Sequence, residues 1–198
     1  MEENSKDYNV CVKSEMCGGD ALGSVILGWV PLVMALAFFG LYPLGSAVLA
    51  LTFIGGIVMM MVTAVSFAKG SVFGTFVFGP VGIFAMAFPL LNWLPILGLA
   101  PPVSGNEAGI FVMIVGLFLG VAGIVTTYMP VRLLTAVAFS ASIALTLVGL
   151  SNIFPGEMMN YVAGFFLMIL AFLSLYLGAA LTVNGTTGKM TWPIFLKK

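Results

Sequence analysis

Long apolar stretches separated by short polar breaks run along most of the chain. The charged residues after the first tail bound five charge-free intervals, which are 21–68, 70–106, 108–131, 133–156 and 158–188. Each interval holds one or two apolar stretches of roughly 20 residues, the length that crosses about 30 Å of hydrocarbon as an α-helix. The pattern predicts six transmembrane spans, near residues 22–40, 47–67, 72–94, 108–129, 133–154 and 158–182. Because backbone groups in lipid must pair within their own segment, helices are expected.

The composition agrees with a chain that lies mostly in lipid. Of its 198 residues, 61% are hydrophobic and only 7% are charged, whereas a soluble domain carries about a quarter charged residues. No linker or low-complexity segment divides the chain. We therefore expect an all-α membrane protein, with a six-helix bundle over residues 21–188, an N-terminal tail over 1–20 and a C-terminal tail over 189–198.

The positions of Lys and Arg predict the orientation in the membrane. Six spans place both tails, the loop with Lys69 and the loop with Arg132 on one side, which then holds all seven basic residues. The charged residues of the opposite loops are Glu107 and Glu157. Basic residues are retained on the cytoplasmic side of a membrane. Both termini are therefore expected in the cytoplasm, with the protein in the plasma or inner membrane.

The residue types missing from the spans narrow the possible functions. The chain has no histidine, and no carboxylate lies inside a predicted span. Nucleophilic triads and metal-assisted hydrolysis need such groups, so an enzyme, a metal site and a cofactor are not expected. Proton relays through buried Asp, Glu or His are disfavoured for the same reason. The sequence favours a pore or carrier for a small uncharged solute, or a structural membrane protein.

The N-terminal tail and the low basic content exclude two further classes of partner. Cys11 and Cys17 lie on the reducing side of the membrane, and their spacing matches no metal-binding pattern, so free thiols are expected. A chain this poor in Lys and Arg is not expected to bind nucleic acid. Its expected partners are membrane lipid and a small solute.

The sequence FGPVG in the third predicted span carries a proline in its middle. Because Pro80 removes a backbone donor and crowds the preceding turn, a kink or a local break is expected there. The structural interpretation is a simple kink. The functional interpretation is a break that lines a pore, as transport proteins often have.

Small residues recur at helical spacing in the fourth and sixth predicted spans. Gly116 with Gly120, and Ser174 with Gly178, are small-xxx-small pairs that let helix backbones approach. Tight packing is the simpler interpretation, and a polar role for Ser174 is the alternative. These faces also suit association between protomers.

The chain resembles the acetate uptake transporter family, which has bacterial and fungal members. The resemblance begins with FIGGIVMMMVTAVSFAKGSVFGTF, residues 53–76, and continues through VGLFLG in the fourth span and LSNIF at the end of the fifth. Further matching positions are Arg132, Tyr176, Leu177, Asn184, Gly188, Lys189 and Pro193. The family implies six helices around one narrow central path, a homo-hexamer, and proton-dependent uptake of acetate or related short carboxylates. A urea channel family is similar in fold.

The resemblance also points to residues of a solute path. The family signature N-P-A-P-L-G-L aligns with residues 18–24, where Leu22 and Gly23 match and Asp20 is expected to cap the first helix. Aromatic constriction positions of the family align with Leu27 and Val81, and a position that tends to carry Leu aligns with Ala141. The smaller side chains favour a wider throat unless the helices close in. Other pore candidates are Gly55, Pro80, Asn152, Ser174 and Tyr176.

The resulting hypothesis is an uptake transporter or channel for acetate and related short monocarboxylates. An uncharged path favours the protonated acid, because an ion in a low-dielectric throat costs several kcal/mol without a partner. One alternative is a channel for a small neutral solute such as urea or a short amide. Another is a membrane sensor or scaffold that kept the fold without transport.

Overall fold

The computed structural model describes residues 19–43 and 45–196. Within them, six helices follow one another: α1 (Gly19–Phe38), α2 (Ser46–Ala68), α3 (Val72–Ile96), α4 (Gly105–Thr126), α5 (Arg132–Ile153) and α6 (Glu157–Thr187). Each is long and apolar enough to cross a membrane. The predicted number and order of the spans is confirmed. The largest difference in boundary is at the end of α6, which continues beyond the predicted span.

The six helices form a closed ring. Each helix contacts its neighbours in the chain, and α6 returns to contact α1. The most extensive pairings are α1 with α6, α2 with α3, and α4 with α5. Large apolar side chains such as Ile114 and Leu117 of α4 are exposed on the outside of the ring. An outer surface of this kind suits lipid or a second membrane subunit.

Glycines let the backbones of paired helices touch. A Cβ atom at Gly116 of α4 would lie 2.7 Å from Oγ1 and 2.9 Å from the backbone N of Thr146 in α5. A Cβ at Gly178 of α6 would lie 3.0 Å from the backbone N of Val25 in α1. The expected tight packing is therefore present inside the protomer. The expectation that these faces are available for association between protomers is wrong, because neighbouring helices of the same chain cover them.

The homo-hexamer stays a prediction after this correction. Its interface is expected on the outward apolar faces, among residues such as Ile110, Ile114 and Leu117 of α4. Native mass spectrometry in a mild detergent is the measurement that tests the oligomeric state.

The third helix is continuous through its central proline. The helical backbone extends without interruption through Pro80 and two later prolines, so the expected local break is absent. Proline removes one amide donor, but its fixed φ is close to that of a helix. Close packing supports the same stretch, since a Cβ at Gly82 would lie only 3.2 Å from the backbone O of Gly56 in α2. One missing hydrogen bond is therefore tolerated.

The first helix begins earlier than the predicted span. Gly19 and Asp20 are already helical, which places Asp20 within the first turn rather than at the capping position that the sequence suggested. The rest of the predicted N-terminal tail, with Cys11 and Cys17, lies outside the described residues, as do Leu44, Lys197 and Lys198.

The C-terminal segment folds back onto the ring. The hydroxyl of Tyr176 donates to the backbone O of Pro193 at 3.0 Å, and the backbone N of Arg132 donates to the O of Phe195 at 3.1 Å. Asn184 accepts hydrogen bonds from the backbone N of residues 191 and 192 at 2.8 Å each. The described part of the predicted C-terminal tail is therefore docked against α5 and α6.

Candidate functional site

A cavity of about 60 Å³ lies at the centre of the ring. All six helices contribute side chains to its wall, because the ring closes around it. The lining residues are Ile26, Leu27, Val30, Pro31, Met34, Thr52, Gly55, Met59, Val81, Phe84, Ala85, Phe88, Leu119, Ala141, Leu145, Leu167 and Leu170. The cavity is thus a place where all six spans meet.

The wall of the central cavity offers almost nothing to hydrogen-bond. Among its lining residues in the described ranges, Thr52 alone has a polar side chain, and its hydroxyl donates to the backbone O of Val48 at 2.8 Å. Water enters a cavity only where it finds two or more polar partners, and apolar cavities of comparable size stay dry. The centre of the ring is therefore an apolar, uncharged compartment that we expect to be dry.

The three predicted constriction residues meet at this cavity. Leu27 of α1, Val81 of α3 and Ala141 of α5 all line it, and Ala141 is only 1% exposed. The phenyl groups of Phe84 and Phe88 lie on the same face of α3 as Val81 and fill part of the space beside it. The small side chains therefore do not open a wide throat.

Gly55, a predicted pore candidate, also lines the central cavity. A Cβ atom at this position would lie 2.8 Å from Cγ2 of Val30 and 3.2 Å from Cγ2 of Ile26. The glycine brings α2 close to α1 at the cavity, so it shapes the wall through its missing side chain.

The residues of the degraded signature motif lie near the basic end of the ring. Asp20 lies beside the Ser66 side chain and interacts electrostatically with Lys69. The Ser66 hydroxyl is buried and makes no hydrogen bond of ordinary geometry. Gly23 is buried, and a Cβ there would lie 2.7 Å from the phenyl ring of Phe78, whereas Leu22 is 51% exposed. None of the three lines the central cavity.

Three other predicted candidates lie away from the central cavity. Pro80 precedes a lining residue but does not line the cavity itself. Ser174 is 0% exposed and its Oγ has no hydrogen-bond partner in the described residues, so it lies within the packed helix wall. Tyr176 stacks on Trp192 with ring centroids 5.6 Å apart, and it holds the C-terminal segment.

Two further cavities lie at the end of the ring opposite Lys69 and Arg132. One, of about 200 Å³, is lined by residues that include Phe88, Ser151, Asn152 and Asn160. The other, of about 230 Å³, is lined by residues that include Phe88, Asn92, Ser104 and Asn152. We call the pair the asparagine vestibule. Since Phe88 lines both cavities and the central one, it stands between them.

The sequence pointed to Asn152 but not to Phe88, Asn92 or Asn160. The sequence did contain a signal for this grouping, because amides are rare in apolar spans. Asn92, Asn152 and Asn160 all lie near span ends on the same predicted side of the membrane. At this end, the described charged residues are Glu107 and Glu157, in the first turns of α4 and α6, while Lys69, Arg132 and Lys189 lie at the other end. The vestibule therefore lies at the end of the ring where these two acidic helix starts are found.

The chain is similar in sequence to two known proteins over most of its length. No family model matches the sequence. The succinate-acetate/proton symporter SatP of Escherichia coli (strain K12) is 26% identical over 180 residues, which cover 87% of this chain and 92% of SatP. An uncharacterised protein of Methanothermobacter thermautotrophicus is 24% identical over 197 residues, covering 96% of this chain and 97% of that protein.

A solved structure has the same arrangement of helices. The structure of the bacterial acetate channel SatP matches with a TM-score of 0.86 at 24% identity, covering 91% of this chain and 99% of that one. The chain is therefore similar to SatP over most of its length and has the fold of the acetate channel structure. The fold expected from the resemblance is thereby confirmed. Departures from the pattern that the resemblance implies include the first-helix signature and the side chains at positions 27, 81 and 141.

The variant Ala141→Leu tests whether the central cavity limits the size of the solute. Three added carbons would occupy space beside a cavity of about 60 Å³, so uptake of three- and four-carbon acids should fall more than uptake of acetate. The measurement is uptake of each acid into proteoliposomes, per mole of folded protein.

The matched control is Ala144→Leu, on the same helix. Ala144 is fully buried but does not line the cavity, so this change overpacks the helix wall without filling the cavity, at a typical cost of about 1–3 kcal/mol of stability. An equal fall for all acids in Ala141→Leu, or no fall, would show that this site does not set the size limit.

Proposed function

We propose that the protein carries acetate and related short monocarboxylic acids across the membrane through the centre of the helix ring. The observation that carries the proposal is the central cavity, to which all six helices contribute and in which Leu27, Val81 and Ala141 meet. Support comes from the relatedness to a succinate-acetate/proton symporter and from the fold of an acetate channel. The vestibule supplies an entrance with polar groups, and Phe88 separates it from the dry centre.

The dry centre favours the protonated acid as the species that crosses. An ionised carboxylate there would lose its water and find no donor or cation, since Thr52 is already bonded to its own helix. Burial of an unpaired charge costs several kcal/mol even after the protein relaxes. The neutral acid loses far less hydration free energy when it enters the cavity, and its alkyl group suits an apolar wall. A proton then accompanies each acid without any relay residue.

The apolar wall of the central cavity also disfavours urea and other solutes that have no apolar face. Urea is uncharged, but every face of it forms hydrogen bonds in water, and the central cavity offers no replacement. A short acid differs because one end of it is apolar. The third possibility, a sensor or scaffold without transport, predicts no flux of any solute.

Uptake into proteoliposomes discriminates these functions. Labelled acetate, urea and succinate are compared at constant total solute over a range of external pH, with protein-free vesicles to subtract passage through lipid. We expect acetate uptake to exceed both others, and to fall about tenfold for each pH unit above the pKa of the acid, as its neutral fraction falls. Faster uptake of urea, or no uptake above the lipid background, would overturn the proposal.

We also propose that both termini face the cytoplasm and that the asparagine vestibule faces outward. The two ends of α6 offer a matched pair of test positions. Gly156 has nothing within 4 Å of an added Cβ, and Thr186 is exposed in the last turn. In intact cells, a cysteine at Gly156 should react with a membrane-impermeant maleimide, and one at Thr186 should react only after the cells are opened. If intact cells were labelled only at the Thr186 position, the orientation would be the opposite of the one proposed.

A further inference from the structure

Two of the three amides in the asparagine vestibule, those of Asn92 and Asn152, are held in a defined orientation. The Asn92 side-chain nitrogen donates to the backbone O of Phe88 at 2.8 Å, and that of Asn152 donates to the O of Val148 at 2.8 Å. Because a backbone carbonyl can only accept, the atom of each amide that faces it must be the nitrogen. Each side chain then retains its Oδ1 acceptor and one N–H donor.

The hydroxyl of Ser151, next to Asn152 in the chain, has no hydrogen left to donate to a solute. Ser151 gives its single hydrogen to the backbone O of Val148 at 2.8 Å and can only accept from a solute. At the rim, the hydroxyl of Ser104 bonds Oε2 of Glu107 at 2.8 Å, so the second cavity borders on a carboxylate. Within the described residues, no Lys or Arg lines either cavity.

This combination of groups favours a neutral carboxyl group over its anion. A protonated acid carries one donor and one acceptor on adjacent oxygens, which complements the acceptor and donor of a carboxamide. A carboxylate has only acceptors, so one of its oxygens would oppose an Oδ1 atom without a hydrogen between them. The Glu107 charge adds like-charge repulsion. A short amide has the same donor and acceptor pair as the acid and fits as well.

We propose that the asparagine vestibule, through Asn152 and Asn92, is the recognition site for the protonated carboxyl group, so that the solute is selected by its hydrogen-bond donor before it reaches the dry centre. The inference rests on the proposed transport function and assigns the step that chooses the protonation state. Phe88 lines the vestibule and the central cavity, so a solute whose carboxyl group is held by the amides can direct its alkyl group toward the centre.

Competition by two uncharged probes tests the donor requirement. Acetamide and acetone are close in size to acetic acid, but only acetamide has a donor. Acetamide should inhibit acetate uptake by the wild-type protein competitively, and acetone should not. Equal inhibition by the two probes would overturn the proposal, because recognition would then not depend on a donor.

Two variants locate the site. Asn152→Leu removes the amide shared by both cavities, and Asn92→Leu removes an exposed amide whose loss should not disturb folding. Each should raise the KM for protonated acetic acid by about three- to tenfold, with the maximal rate retained, and should weaken inhibition by acetamide. Ser140→Ala is the control, because Ser140 is buried on α5, bonds only to Val137 O and lines neither cavity.

The outcomes separate this inference from the function on which it rests. If the wild-type protein takes up acetate but neither asparagine variant changes KM or the response to acetamide, the recognition site is elsewhere and transport stands. If the control variant shifts KM as much as the asparagine variants do, the effect is not specific to the vestibule and the proposal fails. If the wild-type protein takes up no acid, the transport function itself is refuted.

Discussion

Backbone contact at glycines is the constraint on which the helix ring depends. In lipid the hydrophobic effect does not drive helices together, and close packing has to do so instead. Gly116 against Thr146, Gly178 against Val25, and Gly82 against Gly56 bring three pairs of helices into contact at the level of their backbones. Because these pairs are also joined to one another in a closed ring, little space remains at the centre.

The narrow centre determines what chemistry the ring can perform. A wide pore would be filled with water and would pass ions, but a cavity of about 60 Å³ with an apolar wall provides no solvation. In the proposed mechanism, charge is therefore excluded at the centre by its desolvation, and size is limited by residues such as Ala141. Polar recognition is assigned in the same proposal to the asparagine vestibule, where Asn92 and Asn152 are hydrogen-bonded to their own helices. In this proposal, exclusion by charge and size takes place at the central cavity, and polar recognition takes place at the vestibule.

The number, order and approximate ends of the spans could be predicted from the sequence, because charged residues mark every boundary except the one near Pro43, between the first two spans. The inward face of each helix could not, since these helices are apolar on all sides and the usual amphipathic signal is absent. Leu27, Val81 and Ala141 were found through the family resemblance, and the structure brings them together. The grouping of Asn92 with Asn152 required the structure, because the two residues are distant in the chain.

Two corrections have the same physical origin. The break expected at Pro80 is absent because close packing between α2 and α3 outweighs the loss of one amide donor. Tyr176 was a pore candidate by resemblance, but its hydroxyl bonds Pro193 and its ring stacks on Trp192, which places it at the end of the ring. Local sequence indicates the chemistry of a residue, whereas packing across the ring decides where that chemistry is used.

The voltage dependence of acetate uptake tests most directly whether the neutral acid crosses the dry centre. Proteoliposomes are loaded with a pH-sensitive dye, and the membrane potential is set to either sign with a potassium gradient and an ionophore. The account predicts that each acetate brings one proton inside and that the rate does not change with the potential. If the anion crossed the whole field instead, each 100 mV would change the driving free energy for uptake by about 2.3 kcal/mol. The rate of uptake would then change by up to roughly fiftyfold. Uptake that follows the potential in this way, without acidification of the lumen, would contradict the account.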